Sequence, residues 1–288
     1  MPVVVASDAV LLGLLGLLVG SFLNVVVHRL PKMMELRWAA ECAELNNASD
    51  GLKQKALSEQ SATFNLLVPR SRCPHCGHQI RWFENIPVLS FLAMRGKCGN
   101  CAAPISPRYP AVEMVCGALF AWCGWKWGLT WEALAWCGFS ASVLALACID
   151  WDTTLLPDDI TLPLLWAGLC AASLGLITTP LPEALWGAVA GYLSLWMVYW
   201  AFKLVTGKEG MGYGDFKLFA AFGAWFGWQA LIPMILMASI IGAVVGIGIK
   251  VMGQLREGGY VPFGPFLAMS GLTAMIFGPS AILAFIGL

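Results

Sequence analysis

The sequence predicts an all-α membrane protein that crosses the bilayer about eight times, with one long polar insert between its first and second crossings. Three observations carry that expectation. Hydrophobic residues make up 59% of the 288-residue chain and charged residues only 12%, against ~25% charged in an average soluble domain. Mean hydropathy is +0.73. Several stretches run for ~20 residues with few charges, enough for a helix to span a ~30 Å hydrocarbon core, and they lack the period-2 alternation of a barrel strand.

Taken in order, the crossings fall at about 8–27, 110–128, 131–149, 160–179, 183–204, 216–229, 231–252 and 263–286. No Lys or Arg precedes the first, whereas Arg29, Lys32 and Arg37 follow it. A cleaved signal peptide has the opposite charge order, so residues 1–27 form a retained first span with the N-terminus outside. Residues 28–109 form the insert. Pro31 to about Asn46 is helix-like in composition, 47–62 is polar enough to stay mobile, and the remainder is rich in Cys, Pro and Gly. Residues 110–288 form the transmembrane core. The sixth crossing is short. Trp127, Trp131, Trp151 and Trp225 lie near span ends, where interfacial anchoring explains them. Gly242 and Gly246 form a GxxxG that suits helix packing.

Orientation follows from the positive charges. With the N-terminus outside, the insert and the loops 150–159, 205–215 and 253–262 are cytoplasmic, and every Lys and Arg except Lys126 falls in or beside a cytoplasmic segment. Formal net charge is zero, which gives no reason to expect a nucleic-acid partner.

Within the insert, Cys73-Pro-His-Cys76 and Cys98-Gly-Asn-Cys101 are two CxxC knuckles at the spacing of a tetrahedral Zn site. Each supplies two thiolates from one tight turn. A reducing cytoplasmic setting disfavours disulfides there. Free thiols or redox dithiols are the alternatives. Four thiolates would close the coordination shell, making the zinc structural and leaving His75 and His78 outside it. The other six cysteines show no ligand spacing.

Acidic residues collect at the cytoplasmic ends of the spans. Asp150 and Asp152 end the third, Asp158 and Asp159 precede the fourth, and Asp215 opens the sixth within Gly212-Tyr-Gly-Asp215. Carboxylates at a bilayer edge are costly to keep there and usually functional. Two that face each other can share a proton, one activating water while the other protonates a carbonyl oxygen. Gly212 and Gly214 let backbone approach closely. Asp158 and Asp159 read more simply as the start of the fourth span, with Asp159 capping it and Asp158 solvated. For Asp150 and Asp215 the simpler reading is an ion pair or helix cap.

Gly212-Tyr-Gly-Asp215 resembles the GxGD signature of membrane aspartyl proteases. A longer ordered set resembles the type IV prepilin leader peptidases. It comprises Gly20-Ser-Phe-Leu-Asn-Val-Val-Val-His-Arg-Leu-Pro31, Arg72-Cys-Pro-His-Cys-Gly-His78, Glu84-Asn-Ile-Pro87, Arg95-Gly-Lys-Cys98 and Ile105-Ser-Pro-Arg-Tyr-Pro110 with Glu113. Leu156-Pro-Asp158, Thr206-Gly-Lys-Glu-Gly-Met-Gly-Tyr-Gly-Asp-Phe-Lys217 and Pro262-Phe-Gly-Pro265 complete it. The resemblance implies Asp150 and Asp215 as the catalytic pair and Cys73, Cys76, Cys98 and Cys101 as zinc ligands. It implies cleavage of basic leaders from prepilins and prepseudopilins of pilus or type II secretion systems, at the cytoplasmic face of a bacterial inner membrane. It also implies N-methylation of the new N-terminus with S-adenosylmethionine, for which Gly96 and Lys97 are candidate contacts; no S-adenosylmethionine pocket is legible in the residues themselves. Membrane lipid is the other expected partner. Glu35, Glu41 and Glu44 offer negative charge to a basic leader. The rival readings are a cleavage-only GxGD protease, a proton or cation relay through Asp150 and Asp215, and a zinc-stabilised scaffold.

Overall fold

The first helix is far longer than the first expected crossing. The computed structural model describes residues 2–45, 64–253 and 261–286, and its first helix, α1, runs unbroken over Pro2–Leu45. At 1.5 Å per residue its 44 residues extend about 66 Å, roughly twice a hydrocarbon core. The stretch from Pro31 to about Asn46, helix-like in composition, is helical as far as Leu45 and continuous with the first span. The helix carries through Pro31 because an internal proline forfeits one backbone hydrogen bond while the flanking turns keep theirs. The polar stretch 47–62, and Arg256 in the loop before the last expected span, lie outside the described residues.

The chain forms two compact units, Met1–Gly128 and Leu129–Leu288. In the first, α1 pairs antiparallel with α3 (Arg108–Trp127), and the contact is built on small residues. A Cβ on Gly16 would meet Phe120 at 2.7 Å, one on Gly20 would meet Glu113 Cα at 2.7 Å, and one on Gly124 would meet Asp8 O at 2.7 Å. Close backbone approach of this kind replaces the hydrophobic driving force that lipid does not provide between helices. Between α1 and α3 lies an irregular module with a 3₁₀ turn at Trp82–Asn85 and a short helix α2 (Leu89–Ala93). Among the described residues there is no strand, only isolated bridges at Arg72–Gln79 and Lys97–Pro104.

The second unit contains α4 (Trp131–Thr153), α5 (Asp158–Ser173), α6 (Leu181–Thr206), α7 (Tyr213–Phe226), α8 (Leu231–Val251), α9 (Gly264–Phe277) and α10 (Pro279–Ile286). The last expected crossing is thus broken in two at Gly278, where φ is +87° and proline follows. Among the described residues, four segments are long and apolar enough to cross a membrane: Ala6–Ala43, Trp131–Thr153, Leu181–Thr206 and Trp228–Val251. The short α7 lies at the centre, packed on α5 and α6, with every residue from Asp215 to Trp225 buried except Lys217. Gly187 of α6 touches Gly223 of α7 backbone to backbone, so neither position tolerates a side chain. The expected GxxxG makes lighter contacts, Gly242 against the Phe266 ring and Gly246 near Val261. Trp225 is no interfacial anchor. It is 2% exposed, stacks against Trp136 and Phe139, and donates its indole N–H to Leu164 O at 2.9 Å.

Candidate active site and metal centre

The site builds up from the end of the second unit where α4 stops and α5, α7 and α9 begin. Thr154 ends α4 in a left-handed conformation, its N–H bonded to Asp150 O at 2.9 Å. Asp150 sits in the last turn, 5% exposed. The chain then passes through Leu156 and Pro157 into α5. Opposite, Asp215 occupies the first turn of α7, 6% exposed, where its Oδ2 accepts the Gly212 N–H at 3.2 Å. Its Oδ1 is buried, with no hydrogen-bond partner among the described residues. Asp150 acts on Asp215 as a neighbouring charge, so these two buried carboxylates, 65 positions apart in the chain, share one electrostatic site. Buried like charges are costly to ionise together, which suits a pair that holds and exchanges a proton.

The glycines around the pair differ in what they do. A Cβ on Gly214 would lie 2.6 Å from Leu156 Cβ, so this glycine is required by the close approach of the α4–α5 connection. A Cβ on Gly212 would lie an ordinary 3.5 Å from Asp215 Oδ2, so close packing does not require this glycine. Gly264, at the start of α9, would place a Cβ 2.6 Å from Asp150 Oδ2. Sequence reasoning assigned Gly264 no role; the signal available was a glycine framed by Pro262 and Pro265. Asp158 does not stay solvated alone: Lys217 Nζ donates to its Oδ1 at 2.6 Å and its Oδ2 at 2.7 Å. Pro157 occupies the α5 cap position, with no side-chain capping bond, and Asp158 and Asp159 lie in the first turn. On the α6 side, Tyr213 OH lies 3.4 Å from the buried Tyr199 OH, which also accepts from Lys203 Nζ at 3.1 Å. Lys203 in turn pairs with Glu209 at 2.8 Å, folding the 207–212 loop back on its helix.

The four expected metal ligands of the first unit come together. The Sγ atoms of Cys73, Cys76, Cys98 and Cys101 all lie within 4.8 Å of one another, and Cys73 and Cys101 are 3.8 Å apart. Four sulfurs held at ~2.3 Å from a tetrahedral ion are about 3.8 Å from each other, so the donor set fits zinc in number, chemistry and spacing. Both knuckles repeat one backbone pattern. Cys73 N–H bonds His78 O at 2.8 Å and Gly77 N–H bonds Cys73 O at 2.9 Å, while Cys98 N–H bonds Ala103 O at 2.8 Å and Ala102 N–H bonds Cys98 O at 2.9 Å. The left-handed turn position is Gly77 (φ +71°) in one and Ala102 (φ +56°) in the other. Backbone N–H donation at His78, with help from the Asn100 amide, draws the Cys76 thiol down to about 7. Cys101 goes the other way, to about 12: the Ala103 N–H would lower it, but burial and the neighbouring thiols outweigh that. Thiols this close resist ionising together unless a cation joins them. His78 is turned away from the cluster, 3.2 Å from Glu84 Oε2, and His75 is exposed.

Gly96 and Lys97 sit where the chain enters the second knuckle. Gly96 has φ +68° and its carbonyl accepts Ile105 N–H at 2.7 Å; Lys97 is exposed and bridges to Pro104. Two residues from the resembling motifs have partners that the sequence did not disclose. Buried Arg29 on α1 donates to the carbonyls of Asn65 (3.0 Å), Leu66 (3.3 Å) and Pro69 (2.6 Å), and buried Glu113 on α3 accepts Val88 N–H at 2.8 Å.

Comparison with known proteins finds relatives along most of the chain. Residues 14–127 match the Bacterial Peptidase A24 N-terminal domain, and residues 137–247 match the Type IV leader peptidase family. The chain is 53% identical over 264 residues to a prepilin leader peptidase/N-methyltransferase of Stutzerimonas stutzeri, covering 92% of this chain and 89% of that one. It is 53% identical over 265 residues to the Pseudomonas aeruginosa protein of the same name, with 92% and 89% covered. A Burkholderia pseudomallei relative of that name is 51% identical over 267 residues, with 92% and 84% covered. No solved structure matches. With two family domains in order along the chain and half of its residues shared with such relatives, the protein belongs to the type IV prepilin leader peptidase family.

Proposed function

We propose that this protein cleaves the basic leader from type IV prepilins and prepseudopilins and then N-methylates the new N-terminus. The observation that carries the proteolytic half is the pair of buried carboxylates, Asp150 and Asp215, brought from the ends of α4 and α7 into one electrostatic site. One ionised carboxylate takes a proton from water as the oxygen attacks the scissile carbonyl carbon; the other, protonated, gives its proton to the carbonyl oxygen. The resulting diol collapses, the C–N bond breaks, and the nitrogen leaves as an amine carrying a proton from the pair. No covalent enzyme intermediate forms. The lack of a side chain at exposed Gly212, next to Asp215 Oδ2, suits the approach of an extended peptide.

Cys73, Cys76, Cys98 and Cys101 would hold one zinc ion, which fixes the fold of a module that has little apolar core. S-adenosylmethionine would supply the methyl group, with Gly96 and Lys97 as candidate contacts. The positive-inside distribution supports placing the carboxylates and the cysteine module at the cytoplasmic face of a bacterial inner membrane. The metal-knuckle module favours the bifunctional reading over a cleavage-only protease.

The test is mass spectrometry of a prepilin peptide incubated with the purified, detergent-solubilised protein, with and without S-adenosylmethionine. Cleavage at the leader junction, plus a methyl-sized gain only with the cofactor, is expected. Cleavage without the gain removes the methylation half; no cleavage by folded protein removes both and returns the relay and scaffold readings.

A further inference from the structure

We propose that the ion pair between Lys217 and Asp158 is a positioning device that holds the two catalytic carboxylates in register; this rests on the proteolytic reading above. Lys217 follows Asp215 by two residues on α7, and two helical steps turn a side chain by about 200°. Asp215 therefore faces the Asp150 side while Lys217 reaches across to α5, where its ammonium bonds both oxygens of Asp158 at 2.6 and 2.7 Å. Asp158 is the first residue of α5, separated from Asp150 only by the last turn of α4 and the short connection through Leu156 and Pro157.

The ion pair closes a ring. One side runs from Asp150 along the connection to Asp158; the other runs from Asp215 along two helical steps to Lys217. Inside the ring, Leu156 fills the space where a Cβ on Gly214 would sit, and a Cβ on Gly264 would crowd both Leu156 and Asp150. Beside the apolar contact at Leu156, the staple adds a two-oxygen polar tie between α7 and the start of α5. Part of the pair is exposed, 27% for the Lys217 side chain and 54% for Asp158. Exposed ion pairs add little to stability. Its effect is therefore expected in turnover and not in melting.

The experiment measures kcat, KM and Tm on the full-length, metal-loaded protein with the prepilin peptide for Lys217→Met, Asp158→Asn and Lys217→Arg, beside wild type and Asp150→Asn. Each neutralising change is expected to lower kcat by roughly 10- to 100-fold, the scale of a sub-ångström to 1 Å misplacement of reacting groups. KM and Tm should hardly move, and Lys217→Arg, which keeps the charge and reach, should retain most of the turnover. Full kcat in both neutral variants overturns the proposal. So does a loss that appears only alongside a matching fall in Tm. A wild type that does not cleave removes the proteolytic reading itself, a failure visible before any variant is compared.

Discussion

A Cβ on Gly214 would crowd Leu156 at 2.6 Å, whereas one on Gly212 would rest at 3.5 Å from the Asp215 carboxylate. The two glycines of the signature therefore answer to different demands, one to folding and one to access. Gly214→Ala should destabilise the second unit by about 1–3 kcal/mol, as overpacking does, and lower Tm in detergent. Gly212→Ala should leave Tm unchanged and still slow peptide cleavage, because its methyl covers the acid. Asp150→Asn and Asp215→Asn should each abolish cleavage with the fold intact, read by mass spectrometry of the peptide; substantial turnover in either would remove the dyad. In the metal module, Ala102 carries the left-handed turn that Gly77 makes in the other knuckle. Replacing it with glycine should stabilise the module by about 1 kcal/mol, seen as slower metal loss to a competing chelator. The acids, the cysteines and the GxGD glycines were legible in the sequence because residue type and spacing announce their chemistry. Gly264 was not, because its neighbour Asp150 lies more than a hundred positions away and no local pattern marks the contact.

Among the elements, the apolar runs disclosed nearly every helix but misjudged where two of them end. The first span was expected to end at 27, where α1 runs on without a break to Leu45, and 263–286 looked continuous although Gly278-Pro279 divides it. Hydropathy reports which residues prefer lipid and says little about how a helix ends; capping geometry decides that. Likewise GxxxG at Gly242 and Gly246 was visible, yet the tightest crossing is Gly187 on Gly223, two glycines that become partners only through tertiary packing. The clamps of the first unit were hidden for a related reason. Arg29 and Glu113 bind backbone atoms of residues 65–69 and 88, which leave no trace in side-chain patterning. Arg29→Met should cost about 1–3 kcal/mol through three abandoned carbonyl acceptors and raise protease susceptibility near residues 64–69. Unaltered cleavage by the protease there would remove the clamp's role.

For the whole molecule, two units with separate internal packing predict separable losses. A strong chelator should increase hydrogen exchange across residues 72–104 while the helices of 129–288 keep their protection, since the packing that buries α7 comes from its own unit. Simultaneous exchange throughout the chain would show that the metal holds more than its module. Folding and site converge at the end of α4, where the starts of α5, α7 and α9 also meet. The depth of the site was not legible in the sequence. Tyr213, at the head of α7, meets α6 at Tyr199, yet α6 continues another seven residues to Thr206, about 10 Å further along its axis. Asp150 and Asp215 are themselves only 5% and 6% exposed, so each water molecule consumed in the proposed hydrolysis has to reach carboxylates that are almost wholly enclosed. Supply of water to two nearly enclosed acids thus becomes part of the proposed reaction.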